Sequence, residues 1–251
     1  MRARQLEMDL RPGAGRGARR RKRRPGAGRP AKGPRPSERH EQRPFHDART
    51  PVHVVIRSVP GARLRGHRGW RAVRHALLVT AARTQFRIVH VSIQATHVHA
   101  IVEADDRVAL ARGMQGFQIA CARRFNRLRR TRGQIFADRY HAVPLRAPLQ
   151  VHRALAYVLN NWRRHREDDA AHTRFDPYSS APAFPGWAGN ASFRRDHERL
   201  PVVGAETWLL TTGWHRHGLV SPFARPGARE RARQAPRASE PRDELDISAA
   251  G

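Results

Sequence analysis

Apolar and polar positions alternate with two different periods along the middle of the chain, and the switches between them mark out the elements. From Pro51 to Ser58 the apolar residues Val52, Val54 and Ile56 recur at every second position, the period of a strand with one buried face. Trp70, Val73, Leu77 and Ala81 then recur three and four residues apart, which predicts a helix. Phe86 to Ile93 and His97 to Glu103 return to strand character across a short connection, so they should pair as an antiparallel hairpin. Val108 to Arg130 predicts a long helix with the apolar seam Leu110, Met114, Phe117, Cys121, Phe125 and Leu128, ended by Gly133. A short strand around Tyr140 to Leu145 follows, and Pro148 opens a last helix running to about Arg166.

That order is β-α-β-β-α-β with an appended helix, an α+β fold on the ferredoxin-like or RRM-like plan. Two helices cover one face of the sheet and leave the other for a ligand or for the last helix. Past Asp168 the pattern weakens: Asp176-Pro177-Tyr178-Ser179-Ser180 and Pro182 to Pro185 are turn-rich, and Thr207 to Trp214 reads as a short helix. Trp187, Trp208 and Trp214 predict that this extension packs on the domain. The chain therefore divides into a basic arm over residues 1–44, a domain over 45–170, an extension over 171–220 and a tail over 221–251. The arm, with Arg19-Arg20-Arg21-Lys22-Arg23-Arg24 amid Gly, Ala and Pro, and the Pro/Arg/Ala-rich tail have too little apolar surface to order themselves and are expected to be disordered.

Charge changes the picture most. The 251 residues carry 49 Lys+Arg against 21 Asp+Glu, a formal charge of +28, which points to a polyanionic partner, nucleic acid first. The arm accounts for 15 of the basic residues and four of the acidic ones, so the rest is basic in its own right. Lys22 and Lys32 are the only lysines; the remainder is arginine, whose fork grips phosphate in two-toothed fashion. A GC-rich genome also inflates Arg, Ala and Gly, so composition alone does not fix the partner. Cys121 stands alone, which excludes an internal disulfide and a multi-cysteine zinc cluster. No apolar run approaches the ~20 residues of a membrane span, and the N-terminus has no apolar signal stretch. A reducing, cytoplasmic location without membrane contact is the expectation.

The most informative stretch is Thr96-His97-Val98-His99-Ala100-Ile101-Val102-Glu103. On a strand His97 and His99 project from one face and Val98, Ala100 and Val102 from the other, so two imidazoles can bind one metal ion. With 15 histidines in the chain such a pair carries little weight alone. The last helix adds to it: Val151, Leu155, Val158, Leu159 and Trp162 form the buried stripe, while Tyr157 and Asn161, one turn apart, share its polar flank. A core tyrosine would lie on the stripe.

Over roughly Thr50 to Arg166 the chain resembles the IS200/IS605-type transposases of the HUH, single-tyrosine class, most closely the REP-associated tyrosine transposases. The resemblance rests on His53-Val54-Val55-Ile56-Arg57, His97-Val98-His99, Phe136-Ala137-Asp138-Arg139-Tyr140-His141 and Tyr157-Val158-Leu159-Asn160-Asn161. The family pattern of Tyr followed four residues later by Asn or Gln implies Tyr157 as nucleophile and Asn161 as third metal ligand beside His97 and His99. Where members with Asn usually continue with Pro, this chain has Trp162. The resemblance implies cleavage and rejoining of single-stranded DNA bearing hairpin repeats, through a 5′-phosphotyrosine and with Mg²⁺ or Mn²⁺. Imidazole chemistry by itself leans toward zinc or manganese.

Other candidates are weaker. Arg123, Arg127 and Arg130 make a basic stripe on the long helix, for a DNA strand or simply a solvated face, and Arg57 and Arg139 are similar candidates. His165 is a reserve metal ligand, and Tyr140 and Tyr178 are rival tyrosines. Two other functions fit the same outline: a noncatalytic RRM-like nucleic-acid-binding module, and an HUH replication or conjugation nickase. The first needs exposed aromatics on the central strands, and none lies between Ile88 and Glu103. On this reading the protein acts either as a monomer or as a homodimer that exchanges tyrosine helices.

Overall fold

A computed structural model describes residues 46–165, 175–189 and 198–226. The basic arm expected over residues 1–44, and all of the tail expected over 221–251 except residues 221–226, lie outside the described residues.

Val52, Val54 and Ile56 are buried and alternate with less buried neighbours in strand β1 (Val52–Arg57). Helix α1 (His67–Ala81) follows, then β2 (Phe86–Ile93) and β3 (His97–Ala104), helix α2 (Arg107–Arg129), β4 (His141–Pro144) and helix α3 (Pro148–Leu159). The strands form one antiparallel sheet in the order β2-β3-β1-β4, so β3 and β1 are the inner pair. This is the β-α-β-β-α-β plan with an appended helix that the periodicity predicts.

The register sorts every side chain to a face. Val54 pairs with Ala100 and Ile56 with Val98, and these residues meet α1 and α2 in one core with Phe117, Cys121 and Phe125. Val55 pairs with His99, Arg57 with His97 and His53 with Ile101, so those side chains share the opposite face. There α3 packs through Val151, Leu155, Val158 and Leu159. A bulge in β2 between Ile88 and His90 adds one residue, so that Ile88 and Val91, three apart, both face the first core while Val89 faces the second.

Helix α2 starts with Asp106, whose carboxylate accepts from the N–H groups of Val108 and Ala109 at 2.7 Å. It ends at Arg130, which is left-handed at φ 54°. Gly113 sits mid-helix against Phe86 of β2: a Cβ there would stand 2.2 Å from the ring. The helix-weakening glycine is thus the condition for packing a full aromatic ring beneath α2.

Two predictions need correction. The single helix expected from Pro148 to about Arg166 breaks at Asn160 (φ −108°, ψ 12°), and Asn161–Arg164 form a separate turn, α4. Its cause is long-range: the Asn160 amide donates to the Ser221 carbonyl at 3.0 Å and Arg163 Nε to the Pro222 carbonyl at 3.0 Å. Asn also favours local hydrogen bonding over helix interior. The tryptophan expectation holds for Trp187 and Trp214, 8% and 3% exposed, but Trp208, in the short helix α5 (Trp208–Thr211), is 49% exposed.

The rest of the extension covers exposed backbone and buried charge. Ile93 N–H donates to the Tyr178 carbonyl and Ser180 N–H to the Val91 carbonyl, covering the β2 edge. The buried Asp176 takes a two-toothed hydrogen bond from Arg65 at 2.8 and 3.1 Å, and the buried Glu103 accepts from Thr207 N–H and Oγ1 at 2.9 and 2.7 Å.

Gly113→Ala should lower stability by about 1–3 kcal/mol through overpacking, outweighing the ~1 kcal/mol of helix propensity that alanine adds. Denaturant titration checks this: Gly113→Ala combined with Phe86→Leu should lose less than the two single changes summed, whereas simple additivity would mean that the ring does not set the spacing.

Candidate functional site

The site begins with the alternation of β3. Val98 and Ala100 are fully buried in the first core, which commits His97 and His99 to the α3 face. Their ring centroids lie 4.6 Å apart. From the neighbouring strand His53 stacks on His99 at 5.2 Å, with its Nε2 3.1 Å from His99 Nδ1. Helix α3 presents Tyr157 to the same group: the phenol ring meets His99 edge-on at 5.2 Å and His53 at 5.7 Å. From α4 the Arg164 guanidinium lies 5.7 Å from the Tyr157 centroid, and just past it the His165 ring is 5.3 Å from His97.

Burial sets the protonation states. Desolvation first, and then the neighbouring imidazoles and Arg164, pull His99 down to about 2. His53 is lowered to about 4 by burial and by His141, and His97 to about 4 by burial, His165 and Arg57. All three are therefore neutral near pH 7 and each keeps one nitrogen lone pair. Tautomer choice follows from the hydrogen bonds. If His53 donated to His99 Nδ1, the neutral His99 would carry its proton on Nε2, a buried donor with no partner. A buried unpaired N–H is the costlier orphan, so His99 Nδ1–H donates to His53 and His99 Nε2 keeps its lone pair. Similarly His97 Nδ1 lies 3.2 Å from the Thr96 hydroxyl, leaving its Nε2 uncommitted.

This donor set suits a divalent ion. Two neutral imidazoles offer Nε2 lone pairs, and His53 orients His99 from behind, as the outer partner of a metal-bound histidine does. Asn161 is fully buried with both amide atoms unpartnered, a costly state that a ligand would relieve. Its burial differs from the polar-flank position predicted for it, because the break at Asn160 turns the residue away from the α3 wheel. Among the described residues no three His, Cys, Asp or Glu side chains converge in an arrangement able to hold a metal ion.

The predicted DNA-contacting arginines fall in three places. Arg57 is at the site, exposed at the end of β1 and paired with His97 across the ladder. Arg123 and Arg127 are exposed on α2, whose buried side packs on the other face of the sheet; Arg130, the left-handed cap, leaves the helix before completing the stripe. Arg139 is half-buried near β4, and Tyr140 is buried in the first core. Sequence reasoning missed His53 and Arg164. His53 had a signal, since with antiparallel pairing it shares the face of the His-x-His pair; Arg164 had none, because its position depends on the break at Asn160.

Residues 52–161 match the family model described as "Transposase IS200 like". Among solved structures, a REP-associated tyrosine transposase bound to a REP hairpin is similar at 13% identity and a TM-score of 0.47, over 64% of this chain and 98% of that one. No curated protein matches.

Neutral buried imidazoles make the protein acid-sensitive. His53, His90 and His99 have folded values near 4, 4 and 2 against 6.5 when unfolded, so between these limits the unfolded chain binds more protons. Stability should therefore be flat above about pH 6.5 and fall below it, by about 1.4 kcal/mol per pH unit for each imidazole that stays neutral. Urea titrations of wild type and His53→Gln across this range check it: the variant should show a shallower fall, and parallel curves would contradict the assignment.

Proposed function

We propose that this protein is a DNA transposase that cleaves and rejoins single-stranded DNA through Tyr157, a reading supported by the match of residues 52–161 to the IS200-like transposase model. The observation that supports the reading is the contact of the Tyr157 ring on α3 with His99 of β3 and His53 of β1, two neutral imidazoles.

In the proposed reaction the Tyr157 oxygen attacks the scissile phosphorus in line with the departing 3′ oxygen. The phosphorus–O3′ bond breaks as the bond to Tyr157 forms, giving a 5′-phosphotyrosine and a free 3′-hydroxyl. The phenol loses a proton and the 3′ oxygen gains one, so the step is balanced without an added nucleotide. Attack by another 3′-hydroxyl reverses it and joins strands. Arg57 and Arg164, the cations beside His97 and Tyr157, would hold the phosphate charge.

His97 and His99 through Nε2, with Asn161 through its amide oxygen, are the residues that would hold Mg²⁺ or Mn²⁺. Bound there, the ion supplies Lewis-acid stabilisation of the phosphate. Burial holds both imidazoles in the neutral state that ligation needs. His53 acts as a positioning residue that fixes the His99 tautomer. The proposed substrate is a single strand with hairpin repeats from the DNA flanking the coding sequence.

The test incubates the protein with labelled single strands from its own flanking repeats and Mn²⁺. Wild type should form a covalent adduct that Tyr157→Phe does not, and a chelator should abolish it. His97→Ala should lose cleavage by at least ~100-fold, as expected for removal of a metal ligand, while DNA affinity stays within a few fold. Equal cleavage by His97→Ala would refute the ligand assignment.

A further inference from the structure

Trp187 and Trp214 are committed to packing, each indole N–H donating to a backbone carbonyl at 2.9 and 3.0 Å. Trp208 is different, 49% exposed at the start of α5. One face of its ring lies on the 3₁₀ turn Gly213–His217: a Cβ at Gly213 would stand 2.7 Å from the ring, and the Arg216 guanidinium is 4.9 Å from its centroid. Residues three apart on a 3₁₀ turn stand on the same side. Gly213 and Arg216 thus address one face of the indole, and the exposed area belongs to the other.

Trp208 lines a cleft of about 650 Å³ together with Arg49, Arg146, Asp105 and Pro148. Arg49 and Arg146 are exposed and make no ion pair among the described residues, whereas Arg87 in the same wall is held by Glu206 and Glu103. An aromatic ring open on one face and backed by a guanidinium on the other, beside two uncommitted arginines, is a platform for a stacked base and its phosphates. An apolar peptide would leave both guanidiniums unmatched, and duplex DNA keeps its base faces stacked internally.

We propose that this cleft is a base-stacking subsite for single-stranded DNA, with an unpaired nucleobase on the open face of Trp208 and its flanking phosphates on Arg49 and Arg146. The Asp105 carboxylate at the same cleft accepts from an exocyclic amino group, which favours a base that carries one over thymine. The subsite rests on the single-strand reading of the function and extends it to residues outside the matched segment 52–161, since Trp208 and Arg216 belong to the extension.

Its position relative to Tyr157 suits one continuous strand. Helix α5 joins the same core as α3, on the imidazole side of the sheet. The chain runs from Thr50 in the cleft wall to His53 beside Tyr157 in three residues, about 10 Å of extended strand. Along α3, Pro148 at the cleft is nine residues from Tyr157, about 13 Å. A base on Trp208 is therefore a few nucleotides from the phosphate that Tyr157 would attack.

Fluorescence anisotropy with a labelled single strand from the flanking repeats tests the subsite at equilibrium, in chelator so that no cleavage intervenes. Trp208→Ala should bind roughly 5- to 150-fold more weakly, the loss of one stacked base, and Trp208→Phe should stay near wild type. Walking a single abasic site along the strand should find one position that costs wild type a similar factor and costs Trp208→Ala nothing. Should Trp208→Ala lose its fold by near-UV circular dichroism, Trp208→Leu, which keeps apolar volume over Gly213, should show the same weakening. Binding by the folded variant equal to wild type, or no abasic-sensitive position in wild type, overturns the subsite. Covalent adducts, scored separately in Mn²⁺, report on the other reading: Trp208-dependent binding without an adduct removes the reaction and keeps the subsite, and a Tyr157 adduct with Trp208-independent binding removes the subsite alone.

Discussion

Two-residue alternation on an inner strand is the constraint from which the rest follows. β3 must supply Val98, Ala100 and Val102 to the core beneath α1 and α2, and with that face fixed a slip of one residue would bury both imidazoles in it. The side chains between those apolar residues are therefore held rigidly on the other face, where α3 closes over them. Histidines in such a place lose most of their hydration, which is why they are neutral and why their free nitrogens are poised to accept a ligand rather than a proton. One packing requirement thereby sets position, charge state and chemistry together.

The remaining faces answer to the same sheet. β2 is an edge strand, and the extension covers its backbone through residues 178–180. The carboxylate of Glu103, pointing from β3 to the α3 side, is buried and satisfied by residues 206 and 207, which tie α5 to the strand bearing the histidines. Buried charge of this kind is stable only with every lone pair occupied. The extension is thus bonded to the site-bearing layer, and its one exposed tryptophan, Trp208, directly follows the Thr207 that makes that bond.

Much of this was legible in the sequence where the cause is local. The periodicities at Val52–Val54–Ile56 and along Leu110 to Phe125 located the strand and the long helix, and the order of elements fixed the topology. The His-x-His pair could be placed on one face by alternation alone, and Tyr157 off the apolar stripe by helical spacing. What was not legible depends on partners far along the chain. The break at Asn160 answers to carbonyls of residues 221 and 222, and it is this break that buries Asn161 and sets Arg164 against Tyr157. His53 was hidden differently, since only the pairing register of β1 with β3 shows it beside His99. The exposed Trp208 differed from the other two tryptophans because Gly213 and Arg216 already occupy its inner face.

The central claim is that the phenol held against the imidazole pair, and no other tyrosine, becomes covalently joined to DNA. The chain has three tyrosines, and Tyr140 and Tyr178 are built into packing away from the pair. Tandem mass spectrometry of tryptic peptides from protein reacted with a cleavable single strand locates the adduct directly. A phosphonucleotide on the peptide containing Tyr157 is the predicted result; one on the Tyr140 or Tyr178 peptide, with Tyr157 unmodified, would contradict it.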